Sequence, residues 1–200
     1  MTSTLIKSLS RLTFMRSESL RVAGPTPELF RYIRRNQLDL GTVAAHAGYL
    51  NVALVKFLMD DDGAEAFVFG PDGQPAAIIE ALLFDDMREE FTADLVAWPV
   101  GSPELFATAM GLEDGASLLG PQNMVQRQGA PLVVHRTPLA WLKAGCAGCV
   151  PLKPAAGQWL HLAGGPFAVE DIDHGYDLRD LLGPNALKHT ILVPKKERAA

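Results

Sequence analysis

The fold is decided by the stretch from Leu132 to Leu182, LVVHRTPLAWLKAGCAGCVPLKPAAGQWLHLAGGPFAVEDIDHGYDLRDLL. Three short apolar runs stand in it: Leu132-Val133-Val134-His135, Cys149-Val150-Pro151-Leu152 and Phe167-Ala168-Val169. They alternate with helix-like segments near 138–144, 155–162 and 173–182, and Gly145 and Gly164-Gly165 supply helix stops. Strand and helix in alternation imply a layer of α/β structure. Each apolar run ends in charge, at Arg136, Lys153 and Glu170-Asp171. Ligands of parallel sheets sit outside the carboxyl ends of the strands, so this edge is where a site is sought first.

Upstream, the pattern changes. Ala66-Phe67-Val68-Phe69, the turn Gly70-Pro71-Asp72-Gly73, the run 76–83, a polar bend at 85–90 and the run 92–98 read as a three-stranded antiparallel meander. A helix is expected over 103–110, ended by Gly111, and a loop over 120–129. Thr26-Pro27-Glu28-Leu29-Phe30 and Ser102-Pro103-Glu104-Leu105-Phe106 are near copies, and Thr137-Pro138-Leu139 is similar. Each offers a hydroxyl cap followed by proline at the first helical position. The first opens a helix over 27–35 that buries Leu29, Tyr32 and Ile33. Further helices are expected near 41–47 and 51–60, the last stopped by Asp60-Asp61-Asp62-Gly63. A final edge strand is expected over 190–193, within a basic tail. The chain is therefore read as α+β: a basic arm over 1–24, a helical segment over 25–63, and an α+β domain over 64–200 that can form one compact body with 25–63.

The first forty residues hold seven basic side chains and three acidic ones, a balance of +4. The rest holds eleven basic and twenty acidic, a balance of −9. A basic head on an acidic body suits an acidic partner or nucleic acid at the head only, and the bland reading is a solvated arm. Two cysteines in 200 residues do not make a disulfide framework, so a reducing, cytoplasmic setting is expected. Apolar runs are too short to span a bilayer, and no membrane association is expected.

Three sets of residues are candidate sites. Between Val43 and Leu58 a helix-turn-helix would present Tyr49, Asn51 and Lys56, but the second helix is too apolar for a groove, and a core helix pair is favoured. His135, Cys146, Cys149 and His161 carry ligand types that could hold zinc, against the plainer reading that both cysteines pack in the core, and no cofactor is expected. Glu170, Asp171, Asp173 and His174 cluster after the last strand, with His135, Arg136 and Lys153 as cations at the same edge. Asp171-Ile172-Asp173 resembles the paired aspartates of Toprim nucleotidyl-transfer domains, which hold magnesium. That family has a glutamate where this chain has His135. Asp171 or Asp173 acting as a helix cap accounts for the same residues. The chain has no Gly-rich phosphate loop, no Gly-x-Ser-x-Gly and no His-Glu-x-x-His.

The run from His135 to Cys146, with Asp94-Leu95-Val96-Ala97-Trp98 before it, resembles a group of uncharacterised alphaproteobacterial proteins, some from prophage-like regions. The resemblance covers about 64–182 and implies no activity. The expectation is a non-catalytic accessory or interaction protein of a bacterial or mobile-element, phage-like system that meets a protein partner through its basic arm. The other readings are a metal-dependent phosphate or nucleotide enzyme using 170–174, and a DNA-binding protein using the helices near 43–58.

Overall fold

The computed structural model describes residues 2–60, 63–84, 89–112, 114–125 and 129–194, and only the backbone of 2–9, 60 and 63–65. The expected Asp61-Asp62 stop, the bend at 85–88 and the tail at 195–200 lie outside the described residues. The chain opens with α1 (Thr2–Val22), α2 (Pro27–Asn36) and α3 (Leu40–Ala47). Thr26 Oγ1 accepts from Leu29 N, and the Asp39 carboxylate accepts from Gly41 N and Thr42 N, so α2 and α3 start on side-chain caps.

Five strands follow and close into a barrel of order β1-β2-β5-β4-β3: β1 (Leu50–Asp60), β2 (Gly63–Phe69), β3 (Gln74–Phe84), β4 (Glu90–Pro99) and β5 (Ala107–Thr108). The first half of β1 is antiparallel to β3, from Leu50↔Ile79 to Val55↔Gln74. Its second half is antiparallel to β2, from Val55↔Phe69 to Asp60↔Gly63. The turn at 70–73 therefore does not close a hairpin, because β2 and β3 each pair with β1. Gly73 lies against β1 at Val55; a Cβ there would come within 2.5 Å of the Val55 backbone, so only glycine fits. β3 and β4 form the expected antiparallel pair, with a bulge that leaves Ala93 between Asp94, opposite Ala81, and Thr92, opposite Leu82.

Two expected helices are absent. Residues 51–60 are β1, so there is no helix-turn-helix: Asn51 is buried and its Nδ2 donates to the Ser19 carbonyl. Residues 103–110 are turns and β5. The Ser102 carbonyl accepts from Leu105 N, and Ala107-Thr108 instead bridges β4 and β2. Here closure of the barrel outweighs a local helix signal.

The alternation of β3 and β4 sends two sets of side chains to two cores. Ala76, Ile78, Leu95 and Ala97 join Val55, Phe67 and Met15 of α1 in one. Ala77, Ile79, Val96 and Trp98 meet α2, α3 and the C-terminal part in the other. Burial on both faces explains why these strands read as continuous apolar runs. Trp98 Nε1 donates to the Tyr32 hydroxyl at 2.8 Å, which satisfies both polar groups, and burial pushes Tyr32 up to about 12. The N-terminal segment is thus a docked helix. Met15 and Ser19 are buried, and Arg16 Nε lies 2.7 Å from Oε1 of the buried Glu80. Gly48 roofs that carboxylate at φ 65°, where a Cβ would stand 2.0 Å from Glu80 Oε2.

The last part begins with β6 (Leu118–Leu119) and with α4 (Gln122–Val125), which stands where a loop was expected, and from there follows the expected alternation: β7 (Leu132–Val133), α5 (Pro138–Lys143), β8 (Val150–Pro151), α6 (Ala156–Ala163), β9 (Phe167–Ala168) and α7 (Ile172–Leu182), with a 3-10 helix (Gly183–Lys188) before the edge strand β10 (Ile191–Leu192). β10, β9 and β7 form a parallel sheet. β8 pairs antiparallel with β6 and touches the sheet through one parallel bridge, Val134↔Cys149. Leu132, Val134, Phe167 and Val169 pack with Ala156 and Leu160 of α6 and Leu178 and Leu182 of α7. Each fully buried side chain of this size contributes about 1.5–3 kcal/mol.

Candidate functional site

Parallel register builds the candidate site. Leu132 lies opposite Phe167 and Val133 opposite Ala168. Continuing past both strand ends, His135 comes beside Glu170 and Arg136 beside Asp171. His135 Nδ1 is 3.7 Å from Glu170 Oε1. Arg136 grips Asp171 with two parallel bonds, Nη1 to Oδ2 at 2.8 Å and Nη2 to Oδ1 at 2.9 Å. Its Nη2 also reaches Asp177 Oδ2 at 3.4 Å, and its backbone N–H donates to Glu170 Oε1 at 3.2 Å.

Asp171 has a second task. Its Oδ1 accepts from His174 N at 2.8 Å and caps α7. That amide bond, followed by the Arg136 guanidinium, holds the carboxyl below the usual carboxylate range. Glu170 N donates to His174 Nδ1 at 3.3 Å, so the neutral ring carries its proton on Nε2. Burial pushes His174 below its ordinary value, which favours that neutral form. Nε2 of His135 is 2.9 Å from the Ala147 carbonyl and donates to it. A cavity of about 230 Å³ lies between these groups, lined by Val134, His135, Arg136, Pro151, His174 and Leu178 among others.

The expected site residues are only partly brought together. His135, Arg136, Glu170, Asp171 and His174 converge. Asp173 is exposed in the first turn of α7, away from the guanidinium clamp. Both oxygens of Asp171 are engaged, so the Asp171-Ile172-Asp173 pair does not present two open carboxylates. Lys153 is not at this edge. It is sealed against the barrel, with Nζ 3.1 Å from Asp94 Oδ2 and a second bond to the Asp114 carbonyl.

The four zinc candidates do not come together as a ligand set, although His135 N donates to the Cys149 carbonyl. Cys146 follows α5 in a left-handed turn at φ 60°, and burial pushes its thiol up to about 12. Cys149 is buried at the start of β8. His161, on α6, is 2.9 Å from His189 through ring nitrogens. Among the described residues, no group of three or more His, Cys, Asp or Glu side chains is placed to hold a metal ion.

Asp94, Glu80, Asp177 and His189 hold partners that were not expected from the sequence. Glu80 and Asp94 could have been flagged as lone acids inside apolar strands, where a carboxylate demands a partner. Asp177 and His189 carry no comparable signal. Compared with family models, curated proteins and solved structures, the chain has no match in any of the three. Among the described residues, no helix is long and apolar enough to cross a membrane.

Proposed function

We propose that the chain is a non-catalytic accessory protein that captures a protein partner through the outward face of α1, in a bacterial or mobile-element system and in the cytoplasm. The observation that carries this is the division of α1 into two faces. Met15 and Ser19 anchor the inner face, while Phe14 is 63% and Leu20 52% exposed on the outer one. Between that helix and the β3–β4 pair runs a groove of about 630 Å³ whose apolar lining includes Leu12, Leu20, Leu82 and Phe91. Arg16 crosses it, paired with Glu80, while on the same helix Arg21 pairs with Glu18 and Arg11 is exposed. A rigid helix flanked by an apolar groove, with cations beside it, suits an amphipathic segment of a partner with acidic flanks.

The acidic cluster supports the same reading. Asp171 is spent on a cap and a clamp, and this joins α7 to β7 instead of leaving carboxylates open for magnesium and water. The resemblance to prophage-associated proteins supplies the mobile-element setting. DNA recognition by helices near 43–58 has no second helix to rest on.

The test is affinity capture from extract of the source bacterium, with wild-type chain and with Phe91→Asp, followed by reconstitution of the purified pair. Phe91 is 48% exposed, so the variant leaves the core intact. A binary complex that forms with wild type and is lost in the variant supports the proposal. Equal binding by both chains overturns it.

A further inference from the structure

We propose that His161 and His189 form a proton-operated latch, which holds β10 on the C-terminal sheet at neutral pH and releases it in acid. The geometry is a chain of two bonds. Gly165 N–H donates to His189 Nδ1 at 3.1 Å, and His189 Nε2 lies 2.9 Å from His161 Nδ1. Because Gly165 can only donate, His189 Nδ1 must be an acceptor. The neutral ring therefore carries its proton on Nε2 and donates it to His161 Nδ1.

Every proton position inside this chain is committed. A proton added to His189 Nδ1 meets the Gly165 N–H. A proton added to His161 Nδ1 meets the His189 Nε2–H. No singly charged pair keeps both bonds. A metal ion fits no better: on His189 Nε2 it would send the ring proton to Nδ1, where the Gly165 amide points.

The surroundings disfavour charge. α6 contributes His161, the turn before β9 contributes the Gly165 backbone, β9 contributes the Phe167 ring at a centroid distance of 5.3 Å, and the 3-10 helix contributes Lys188. Burial first, then His161 and Lys188, hold His189 below its ordinary value. The folded ring thus binds its proton less readily than the unfolded one. Its contribution is complete above the unfolded value of about 6.5 and is lost as pH falls through the lower folded value.

The latch sits next to what it holds. Thr190 O accepts from Phe167 N at 2.9 Å and Leu192 O from Val169 N at 3.0 Å. β10 has two residues, and His189 stands immediately upstream, two positions before Ile191. Release bares the edge of β9, a row of unpaired donors open to strand addition.

Amide hydrogen exchange at about pH 7.5 and about pH 5.5, corrected for intrinsic rates, reads the latch. Wild type is expected to lose protection at Phe167 and Val169 roughly ten-fold in acid, whereas His189→Phe, which keeps a ring against Phe167, shows no such pH dependence. Unchanged wild-type protection overturns the latch. So does an acid loss of wild-type size in His189→Phe, which would assign the effect to His174. If the variant cannot hold β10 at either pH, the His189 ring titration in wild type decides. Its midpoint must coincide with the loss of protection, and a different midpoint overturns the proposal.

Discussion

Lys153 Nζ stands 3.1 Å from Asp94 Oδ2 with both side chains sealed from solvent, and this pair pins the C-terminal layer to the barrel. Asp94 belongs to β4, beside its bulge, and Lys153 follows β8. The other Asp94 oxygen accepts from Leu95 N at 2.9 Å and Met110 N at 3.1 Å. Lys153→Met removes the cation and strands the carboxylate. The expected cost is about 3–5 kcal/mol in urea unfolding, and less when Asp94→Asn is added, because the orphaned charge is then gone.

The same pair gives an inverted pH dependence. Burial, partly offset by Lys153, pushes Asp94 from 3.8 up to about 6. The folded state then holds its proton more tightly than the unfolded state, so this group's contribution is full below the unfolded value and is lost as pH rises towards 6. Relative to Asp94→Asn, wild type should gain roughly 1–3 kcal/mol between about pH 7 and pH 4, measured by urea unfolding at both.

The two faces of α1 separate in stability. Met15 is 3% exposed among Val55, Phe67 and Leu95, so Met15→Ala should cost about 2–5 kcal/mol. Leu20→Asp, on the outer face, should stay within about 0.5 kcal/mol. Chemical denaturation of the two variants checks both. For the same reason, deletion of 1–24 opens the barrel core and does not report on partner binding alone.

Asp171 and Asp173 should behave differently. Asp171→Ala loses both the α7 cap and the Arg136 clamp, so it lowers the thermal midpoint. Asp173→Ala leaves the midpoint where it was, and added magnesium moves neither wild type nor variants. A magnesium-dependent rise in the wild-type midpoint that both substitutions abolish would restore the paired-aspartate reading.

Much of this was legible locally. Thr26, Thr137 and Asp171 cap the helices that follow them, and glycine and proline punctuate the final third where its elements end. What was hidden depends on distance along the chain. Residues 50–59 mix Leu, Ala, Lys and Met with Val52, Val55 and Phe57, and pairing with two strands decided for β1. Ser102-Pro103-Glu104 copies a helix start, yet Ala107 and Thr108 were needed to close the barrel. At the site, the Asp171 cap could be read from its own neighbours. The Arg136 clamp spans 35 residues and the Lys153–Asp94 pair spans 59, and no local pattern announces either.

Partner capture by the outer face of α1 is tested most directly by isothermal titration of the reconstituted partner against wild type and Leu20→Asp. The expected result is a Kd weakened at least about ten-fold in the variant, with its unfolding free energy unchanged. Equal affinity for the two chains would contradict it.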